Sequence, residues 1–178
     1  MIKMILALGA SGELGSSTTP DGLPWVERNK EDMKYFRDQT LGSTVIYGKT
    51  TYKSFIKLGM KDGLPQRVNW VLSNDVHPLS KTGFLTAGNN TKFVNFQWLT
   101  SWMKLLNSTE DLWIIGGKST YDQFHQYAEE VHLTRINQDF PDADVYLDTS
   151  WLCDFEKVKE VPLNDYSHVE IYKRKEIV

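Results

Sequence analysis

Cysteine is nearly absent from this sequence, and so is any excess of positive charge. The 178-residue chain has one cysteine, Cys153, and a formal net charge of −3. A single thiol forms no internal disulfide and fits none of the usual cysteine and histidine spacings of zinc sites, so we expect no bound metal. The lack of a basic excess argues against a nucleic-acid partner.

Long apolar runs are also missing. No stretch approaches the ~20 apolar residues that span a bilayer, so we expect no membrane partner. The first residues, MIKMILALGASGEL, become polar too soon for the apolar core of a signal peptide. We therefore expect a cytoplasmic protein, and the length of 178 residues predicts one domain over residues 1–178.

Short apolar runs alternate with helix-like segments along most of the chain. The runs are typical of buried parallel strands and lie at 2–8, 44–47, 68–72 and 112–115. The segments with helical spacing lie at 29–39, 50–56, 98–106 and 119–127. Strand-like stretches at 131–136, 157–161 and 168–174 follow with no helix between them. This order predicts an α/β fold whose parallel sheet has an antiparallel C-terminal edge.

Asp32 is the most informative single residue, because it lies on a predicted helix shortly after a Leu-Pro-Trp turn. Asp32 and Phe36 share one helix face, and Met33 lies beside them, so the acid borders an apolar stripe. Asn29 can cap this helix, with Asp32 in the first turn, where a carboxylate favours the helix dipole. The alternative is an acid in an apolar pocket with a raised pKa that binds a cationic or amidine-like ligand edge.

Two predicted strands end in glycine immediately before a helix. One runs into Gly116 and Gly117, and the other into Gly48 and Lys49, followed by two threonines. Glycine allows close approach of the backbone to a phosphate, and helix starts favour anions. Tight packing and ordinary helix capping are the alternatives. Because ligands of parallel sheets bind at the carboxyl ends of the strands, the two motifs together indicate a dinucleotide site.

Three further side chains have both a functional and a structural interpretation. Arg67 suits a ligand carboxylate, but an arginine before a strand is often simply solvated. Thr134 is either a core hydroxyl or a donor to a buried carboxylate such as Asp32. Trp25 is either a core anchor or a shield between a polar site and water.

Several motifs occur in an order that is specific for one enzyme family. They are MIKMILALGASGELG, GLPW, the acidic helix that ends at Phe36, VIYGKTTYKSF, LPQR, VLS, WIIGGKSTYDQF and HLTRI. Together they resemble dihydrofolate reductase of the small single-domain bacterial or bacteriophage type. The resemblance implies an eight-stranded, mainly parallel sheet with an antiparallel C-terminal edge strand and helices on both faces.

The resemblance also implies a reaction and its substrate-binding residues. The reaction is NADPH-dependent reduction of 7,8-dihydrofolate to tetrahydrofolate by hydride transfer to pterin C6, with N5 protonated by water that Asp32 organises. The implied catalytic residues are Asp32, which binds the pterin 2-amino group and N3, Thr134, which supports it, and Trp25, which holds an ordered water. The other implied substrate-binding residues are Ala7, Met33, Phe36, Phe55, Leu64, Arg67, Ile115 and Tyr121, with Arg67 taking the α-carboxylate of the glutamate.

NADPH is the cofactor that the resemblance implies. The implied binding residues are Ala7, Leu14, Gly15, Gly48, Lys49, Thr50, Thr51, Leu72, Ser73, Asn74, Ile115, Gly116, Gly117, Lys118, Ser119, Thr120 and Tyr121. In this family Gly116 and Gly117 are joined by a cis peptide and approach the pyrophosphate. Thr51 contacts the phosphates, and Lys49, with Ser73, the adenosine 2′-phosphate.

The chain departs from the family pattern at three places. The loop between Gly15 and Trp25, which covers the nicotinamide in the family, carries the extra residues SSTTPDG. Pro-Gln-Arg replaces a common Pro-Gly-Arg, and Lys118 replaces a third glycine.

Dihydrofolate and diaminopyrimidine or pteridine antifolates are the expected binding partners, and we expect a monomer, with a dimer as the alternative. A reductase of riboflavin biosynthesis and a non-catalytic binding or assembly protein are the alternative functions. Asp32 together with Arg67 argues against the first of these, because its substrate carries a phosphate and no glutamate.

Overall fold

The computed structural model describes residues 1–25, 27–75, 84–105 and 109–176. The α-helices are α1 (Lys30–Thr40), α2 (Lys49–Lys57), α3 (Phe96–Lys104) and α4 (Lys118–Phe124). The strands are β1 (Ile2–Leu8), β2 (Glu13–Gly15), β3 (Thr44–Gly48), β4 (Val68–Leu72), β5 (Phe84–Thr86), β6 (Thr91–Val94), β7 (Leu112–Gly116), β8 (Glu130–Ile136), β9 (Val145–Tyr146), β10 (Phe155–Asn164) and β11 (Ser167–Arg174). Short 3₁₀ helices cover His125–Tyr127 and Ser150–Asp154.

Most of these strands form one sheet in the order β10-β11-β8-β1-β7-β3-β4-β6-β5. The strands from β8 to β6 pair in parallel, whereas β10, β11 and β5 pair antiparallel to their neighbours. The predicted α/β fold is therefore confirmed. The three-residue edge strand β5 brings this sheet to nine strands among the described residues, where the resemblance implies eight.

Side chains of the central strands alternate between two apolar cores, one on each face of the sheet. Under α1 and α2, the buried strand residues are Ile5, Val45, Tyr47, Val71 and Trp113. The opposite face carries a larger core that includes α3 and α4. The prediction of helices on both faces is confirmed, because near-continuous apolar strands require a cover on each side.

Two details differ from the sequence-based prediction. The stretch at 131–136 was expected to belong to the antiparallel part, but β8 pairs in parallel with β1, so the antiparallel part begins only at β11. The helix expected at 119–127 divides, since α4 ends at Phe124 and a 3₁₀ helix follows. The other helices begin and end within two residues of the predictions, except that residue 106, the predicted end of α3, lies outside the described ranges.

The chain order of the strands reverses direction in the middle of the sheet. Strands β3, β4 and β6 extend the sheet in one direction, after which β7 inserts between β1 and β3, and β8 lies on the other side of β1. Ligands of such sheets bind beyond the carboxyl ends of the strands at this reversal. Ala7, Gly48 and Gly116 lie at those ends. In the described ranges, no helix has the length and apolarity that crossing a membrane requires.

Candidate active site

Asp32 lies in the first turn of α1 and faces β8. The Asn29 side chain caps the helix, since its Oδ1 accepts the Asp32 backbone N–H at 3.2 Å. The hydroxyl of Thr134 donates to Asp32 Oδ1 at 2.6 Å, across 102 residues of sequence. Both interpretations of the sequence are therefore true, because the helix is capped while its acid points to a neighbouring strand.

The protein environment favours the protonated form of this acid. Burial raises the pKa of the Asp32 carboxyl above its ordinary value, and the Thr134 hydrogen bond opposes this with a smaller effect. Desolvation disfavours a charge that has no partner. Among the described residues no cation forms an ion pair with Asp32. Its carboxyl is thus available to a ligand that donates hydrogen bonds or carries positive charge.

The capping residue is itself held by the C-terminal hairpin of β10 and β11. Asn29 Nδ2 donates to Ser167 Oγ at 2.9 Å, and Asn164 Nδ2 donates to Asn29 Oδ1 at 3.0 Å. Ser167 Oγ in turn donates to Asn164 Oδ1 at 2.6 Å. These bonds fix the start of α1, and hence Asp32, against strands from the far end of the sequence.

Two other predicted substrate-binding residues, Ala7 and Tyr121, lie on or contact β1, the strand next to Thr134. Ala7 on β1 is the register partner of Thr134 on β8. The buried Tyr121 hydroxyl of α4 donates to the Ile5 carbonyl at 2.8 Å. Burial and the charge of Asp32 raise the Tyr121 pKa, so this hydroxyl keeps its proton.

Apolar side chains extend from Asp32 along α1 and α2. Met33 is 46% exposed despite its apolar character, and Phe36 is half-buried. Phe55 on α2 packs edge-on against Tyr47, with ring centroids 5.0 Å apart. Met33 is thus accessible to a ligand beside the half-buried ring of Phe36, whereas Leu64 is buried.

Arg67 is not a solvated arginine, so that interpretation of the sequence is wrong. It is only 7% exposed. Its guanidinium donates from Nε to Thr40 Oγ1 at 3.1 Å and from Nη1 to the Pro65 carbonyl at 2.7 Å, with a longer contact of 3.4 Å to the Arg37 carbonyl. Burial, followed by the charge of Arg37, lowers its pKa. No carboxylate in the described ranges pairs with Arg67, so this held cation is suited to an anionic ligand group.

Gln66, the residue before Arg67, stands at the position where the family commonly has glycine. Gln66 has φ 58°, a left-handed conformation that glycine adopts at little steric cost. The glycine common at this position in the family would relieve that conformation, but the turn is retained, with the Gly42 N–H donating to the Gln66 carbonyl at 2.9 Å.

The two glycine turns meet in space at the ends of β3 and β7. The peptide bond between Gly116 and Gly117 is cis, as the resemblance implied. A Cβ added to Gly117 would lie 3.5 Å from Thr51 Oγ1, and one added to Gly48 would lie 3.0 Å from Thr120 Oγ1. The helix α2 begins at Lys49 with Gly48 as its cap residue and no side-chain cap, so capping by Thr50 or Thr51 is wrong.

Both lysines expected near the phosphates are paired with carboxylates. Lys49 forms an ion pair with Asp75, and Lys118 lies 3.3 Å from Asp122. The Asp75 backbone N–H donates to Ser73 Oγ at 3.2 Å, which places this acid beside the residues expected to contact the 2′-phosphate. Hydrogen bonding and charge from Lys49 lower the pKa of Asp75, so the carboxylate is ionised and competes for the lysine.

The loop with the extra residues is attached to the segment before β9. The Ser17 N–H donates to Asp144 Oδ1 at 2.9 Å, and the Ser17 hydroxyl bonds the same carboxylate. The Asp144 N–H donates to the Gly15 carbonyl at 3.2 Å. At the other end of the loop, Trp25 packs edge-on against Phe140, with centroids 5.5 Å apart.

The other predicted cofactor-binding residues lie around the same strand ends. Leu14 and Leu72 pack partly against the larger core, Ile115 is half-buried at the end of β7, and Ser119 Oγ accepts from Gln123 at 2.8 Å. Asn74 and Thr50 are exposed.

A comparison with protein families gives one match over nearly the whole chain. The model described as "Dihydrofolate reductase" matches residues 1–174. The chain belongs to the dihydrofolate reductase family. The resemblance inferred from the ordered motifs is therefore confirmed.

Curated dihydrofolate reductases include relatives of similar length. "Dihydrofolate reductase type 9" of Escherichia coli is 30% identical over 163 residues, which cover 90% of this chain and 84% of the relative. "Putative dihydrofolate reductase" of Caenorhabditis elegans is 31% identical over 175 residues, with 90% and 82% covered. A solved dihydrofolate reductase from Enterococcus faecalis, complexed with NADP(H) and RAB-propyl, has a TM-score of 0.77 at 23% identity and covers 99% of this chain and 97% of that chain. It shows the same fold.

Sequence reasoning did not identify several residues that lie next to the candidate site. Asp75 and Asp144 have no local signal, because their partners lie in other segments. Tyr35 and His132 do have a local signal, because Tyr35 lies one helical turn after Asp32, and His132 lies on the same strand face as Thr134.

Proposed function

We propose that the protein catalyses the NADPH-dependent reduction of 7,8-dihydrofolate to 5,6,7,8-tetrahydrofolate. The observation that carries this proposal is the Asp32 carboxyl, desolvated, bonded to Thr134 and free of any described cation, at the carboxyl ends of the central strands. Membership of the dihydrofolate reductase family supports it. When bound, NADPH supplies the hydride that adds to pterin C6.

In this proposal Asp32 accepts hydrogen bonds from the pterin 2-amino group and N3, and Thr134 holds the carboxyl in place. Asp32 also organises the water that protonates N5, and Trp25 holds an ordered water next to it. Met33, Phe36 and Phe55 supply apolar contacts to the rings, which exclude bulk water. Arg67 binds the α-carboxylate of the glutamate through its planar fork.

The residues at the strand ends fit a dinucleotide. Gly48, Gly116 and Gly117 leave open the space that side chains would otherwise fill between Thr51 and Thr120. Backbone at such a glycine turn can approach a pyrophosphate closely. In this proposal the backbone groups of Ala7, near the end of β1, and of Gly15, at the end of β2, position the nicotinamide. The Enterococcus faecalis structure in complex with NADP(H) supports this assignment.

The direct test is to mix the purified protein with NADPH and dihydrofolate and to follow the loss of NADPH absorbance. Turnover that requires both compounds is the expected result. A protein that binds NADPH but gives no turnover would instead favour the non-catalytic binding or assembly alternative.

The pH dependence follows from the raised Asp32 pKa. The free enzyme keeps the Asp32 proton to a higher pH than an ordinary carboxyl, and this proton becomes available to the organised water when the carboxyl accepts the hydrogen bonds of the pterin. We therefore expect kcat/KM for dihydrofolate to fall as pH rises above the Asp32 pKa, approaching about tenfold per pH unit. Rates from roughly pH 5 to 9 would show the decline. A flat profile, or the same decline in Asp32→Asn, would contradict the assignment to Asp32.

The role of Arg67 predicts a substrate-dependent effect. We expect Arg67→Leu to raise KM for dihydrofolate by at least about 30-fold, because buried, hydrogen-bonded charge pairs contribute roughly 2–5 kcal/mol. A pteridine without the glutamate should lose far less. Thr40→Val is the matched control, since it removes the Nε contact and keeps the cation. Equal losses for the two substrates would remove the assigned role.

The Lys49–Asp75 pair predicts a gain of function in cofactor selectivity. Asp75→Asn releases Lys49, so we expect the preference for NADPH over NADH to rise about two- to fivefold, the size typical of an exposed pair. Lys49→Ala should lower affinity for NADPH more than for NADH. Dissociation constants for both cofactors measure this, and equal losses in Lys49→Ala would show that the lysine does not bind the 2′-phosphate.

A further inference from the structure

A second hydrogen bond connects α1 to β8 beside the bond between Asp32 and Thr134. The Tyr35 hydroxyl lies 2.6 Å from His132 Nδ1. Residues three apart on a helix share a side, and alternate residues on a strand share a face. The two bonds therefore lie next to each other in one helix-strand interface, about one helical turn apart.

The second bond continues into a chain of polar side chains that runs from the buried His132 to the more exposed Asp111. His132 Nε2 lies 2.6 Å from Glu130 Oε1, and Lys3 Nζ lies 3.5 Å from the same oxygen. Lys3 Nζ also lies 2.9 Å from Asp111 Oδ2. The His132 side chain is 5% exposed, and its ring packs edge-on against Trp113 with centroids 5.0 Å apart. The chain thus links α1, β8, β1 and the residue before β7.

The protonation states favour one arrangement of donors and acceptors. Burial, with the charges of Glu130 and Asp32, raises the pKa of Tyr35 to about 12, so its hydroxyl keeps its proton. Burial also lowers the pKa of His132, although Glu130 opposes this, and the imidazole is neutral at pH 7. Tyr35 consequently donates to Nδ1, and the Nε2–H donates to Glu130 Oε1.

We propose that Tyr35, His132 and Glu130 are positioning residues that fix α1 on β8 and thereby hold the Asp32 carboxyl against Thr134. The bonds of Asn29 to the β10–β11 hairpin hold the first residues of α1. The Tyr35–His132 bond adds a fixed point one turn further along the helix, which restricts rotation of α1 that would expose Asp32 to water. This inference rests on the proposed role of Asp32 in the reaction.

The other elements around His132 complete its electrostatic surroundings. Lys3 on β1 and Asp111 before β7 contribute opposite charges, and Tyr35 faces the ring from α1. On β11, Ile171 is the register partner of His132, and Lys173 is that of Glu130. None of these groups is among the residues to which the proposed function assigns a contact with the pterin, so we infer that their effect on the reaction passes through α1.

The test is the pH profile of kcat/KM in Tyr35→Phe, which keeps the ring and removes the hydroxyl. With α1 loosened, water reaches Asp32, and the pH midpoint should fall by at least about half a unit, towards the ordinary pKa of a carboxyl. We expect kcat/KM at pH 7 to fall about fivefold. A carboxyl-carbon NMR titration, in which the Asp32 signal is the one lost in Asp32→Asn, should show the same shift without relying on activity.

Matched variants separate positioning from stability. His132→Leu should lower the pH midpoint as Tyr35→Phe does. In His132→Gln, whose amide can both accept and donate hydrogen bonds, the pH midpoint should lie close to that of wild type. Tyr52→Phe on α2 removes a hydroxyl with only a 3.5 Å contact and should leave the profile unchanged. A lower Tm in Tyr35→Phe with an unmoved midpoint in both measurements would overturn the inference. Full activity in Asp32→Asn would instead overturn the proposed function of Asp32, so the two failures are distinguishable.

Discussion

We expect Asp32→Asn to lower kcat/KM for dihydrofolate by at least about 100-fold, because general acid-base catalysis typically contributes that much or more. The amide can still accept the Thr134 hydroxyl, so the side chain stays in place and only the ionisable group is lost. Steady-state rates measured over a range of dihydrofolate concentrations, at saturating NADPH, give this kcat/KM. A loss within about tenfold, ~1.4 kcal/mol, would contradict the role of Asp32.

Asp38→Asn is the matched control, since it changes a second acid on the same helix. Asp38 is exposed and paired with Lys34 at 2.5 Å, outside the proposed site, so activity should be unchanged. Stability gives an independent check. Because the folded protein raises the Asp32 pKa, ionisation of that carboxyl destabilises the fold increasingly as pH rises from the unfolded to the folded pKa, and the penalty persists above it. Asp32→Asn removes the penalty, so its Tm at neutral pH should equal or exceed that of wild type.

We expect a diaminopyrimidine antifolate to lose at least about 30-fold in affinity for Asp32→Asn, as expected when one partner of a desolvated ion pair of roughly 2–5 kcal/mol is removed. In wild type the protonated diaminopyrimidine meets an acid that no described cation neutralises. Titration calorimetry measures the dissociation constant. Wild-type affinity in the variant would exclude this pairing.

Proton linkage sharpens that experiment. Binding of a neutral diaminopyrimidine as the cation requires net uptake of a proton at a pH above both the pKa of the compound and that of Asp32, because Asp32 then has no proton to transfer to it. Calorimetry in buffers of different ionisation enthalpy should therefore detect uptake in wild type and in Asp38→Asn. Absence of uptake in wild type would show that the compound binds uncharged.

The parts of the fold that the sequence predicted well are those with a local cause. The apolar runs of β1 and β4 have the predicted bounds, and Asn29 caps α1 as its residue type indicated. The short strands β5 and β6 were missed because three or four residues between polar turns carry too little periodicity.

The candidate site was predictable in its residues more than in their surroundings. The motifs indicated Arg67 as a binding residue. They did not indicate that Thr40 and backbone carbonyls surround its guanidinium, since Thr40 lies 27 residues away in the sequence. Lys49 was named without Asp75, which is 26 residues further on, and Asp32 without the Tyr35–His132 bond beside it. Contacts of this kind depend on which elements become neighbours in the sheet, and residue spacing within one element does not encode that.

The attachment of Asn29 to Ser167 has a consequence for synthesis on the ribosome. The helix that carries Asp32 is made before the strands that receive it, and the hydroxyl that holds its cap is 138 residues downstream. Thr134, the partner of the acid itself, is 102 residues downstream. A nascent chain that has not yet released the β10–β11 hairpin therefore lacks the contacts that hold α1, and ligands that recognise the finished pocket can act only after that hairpin has left the ribosome.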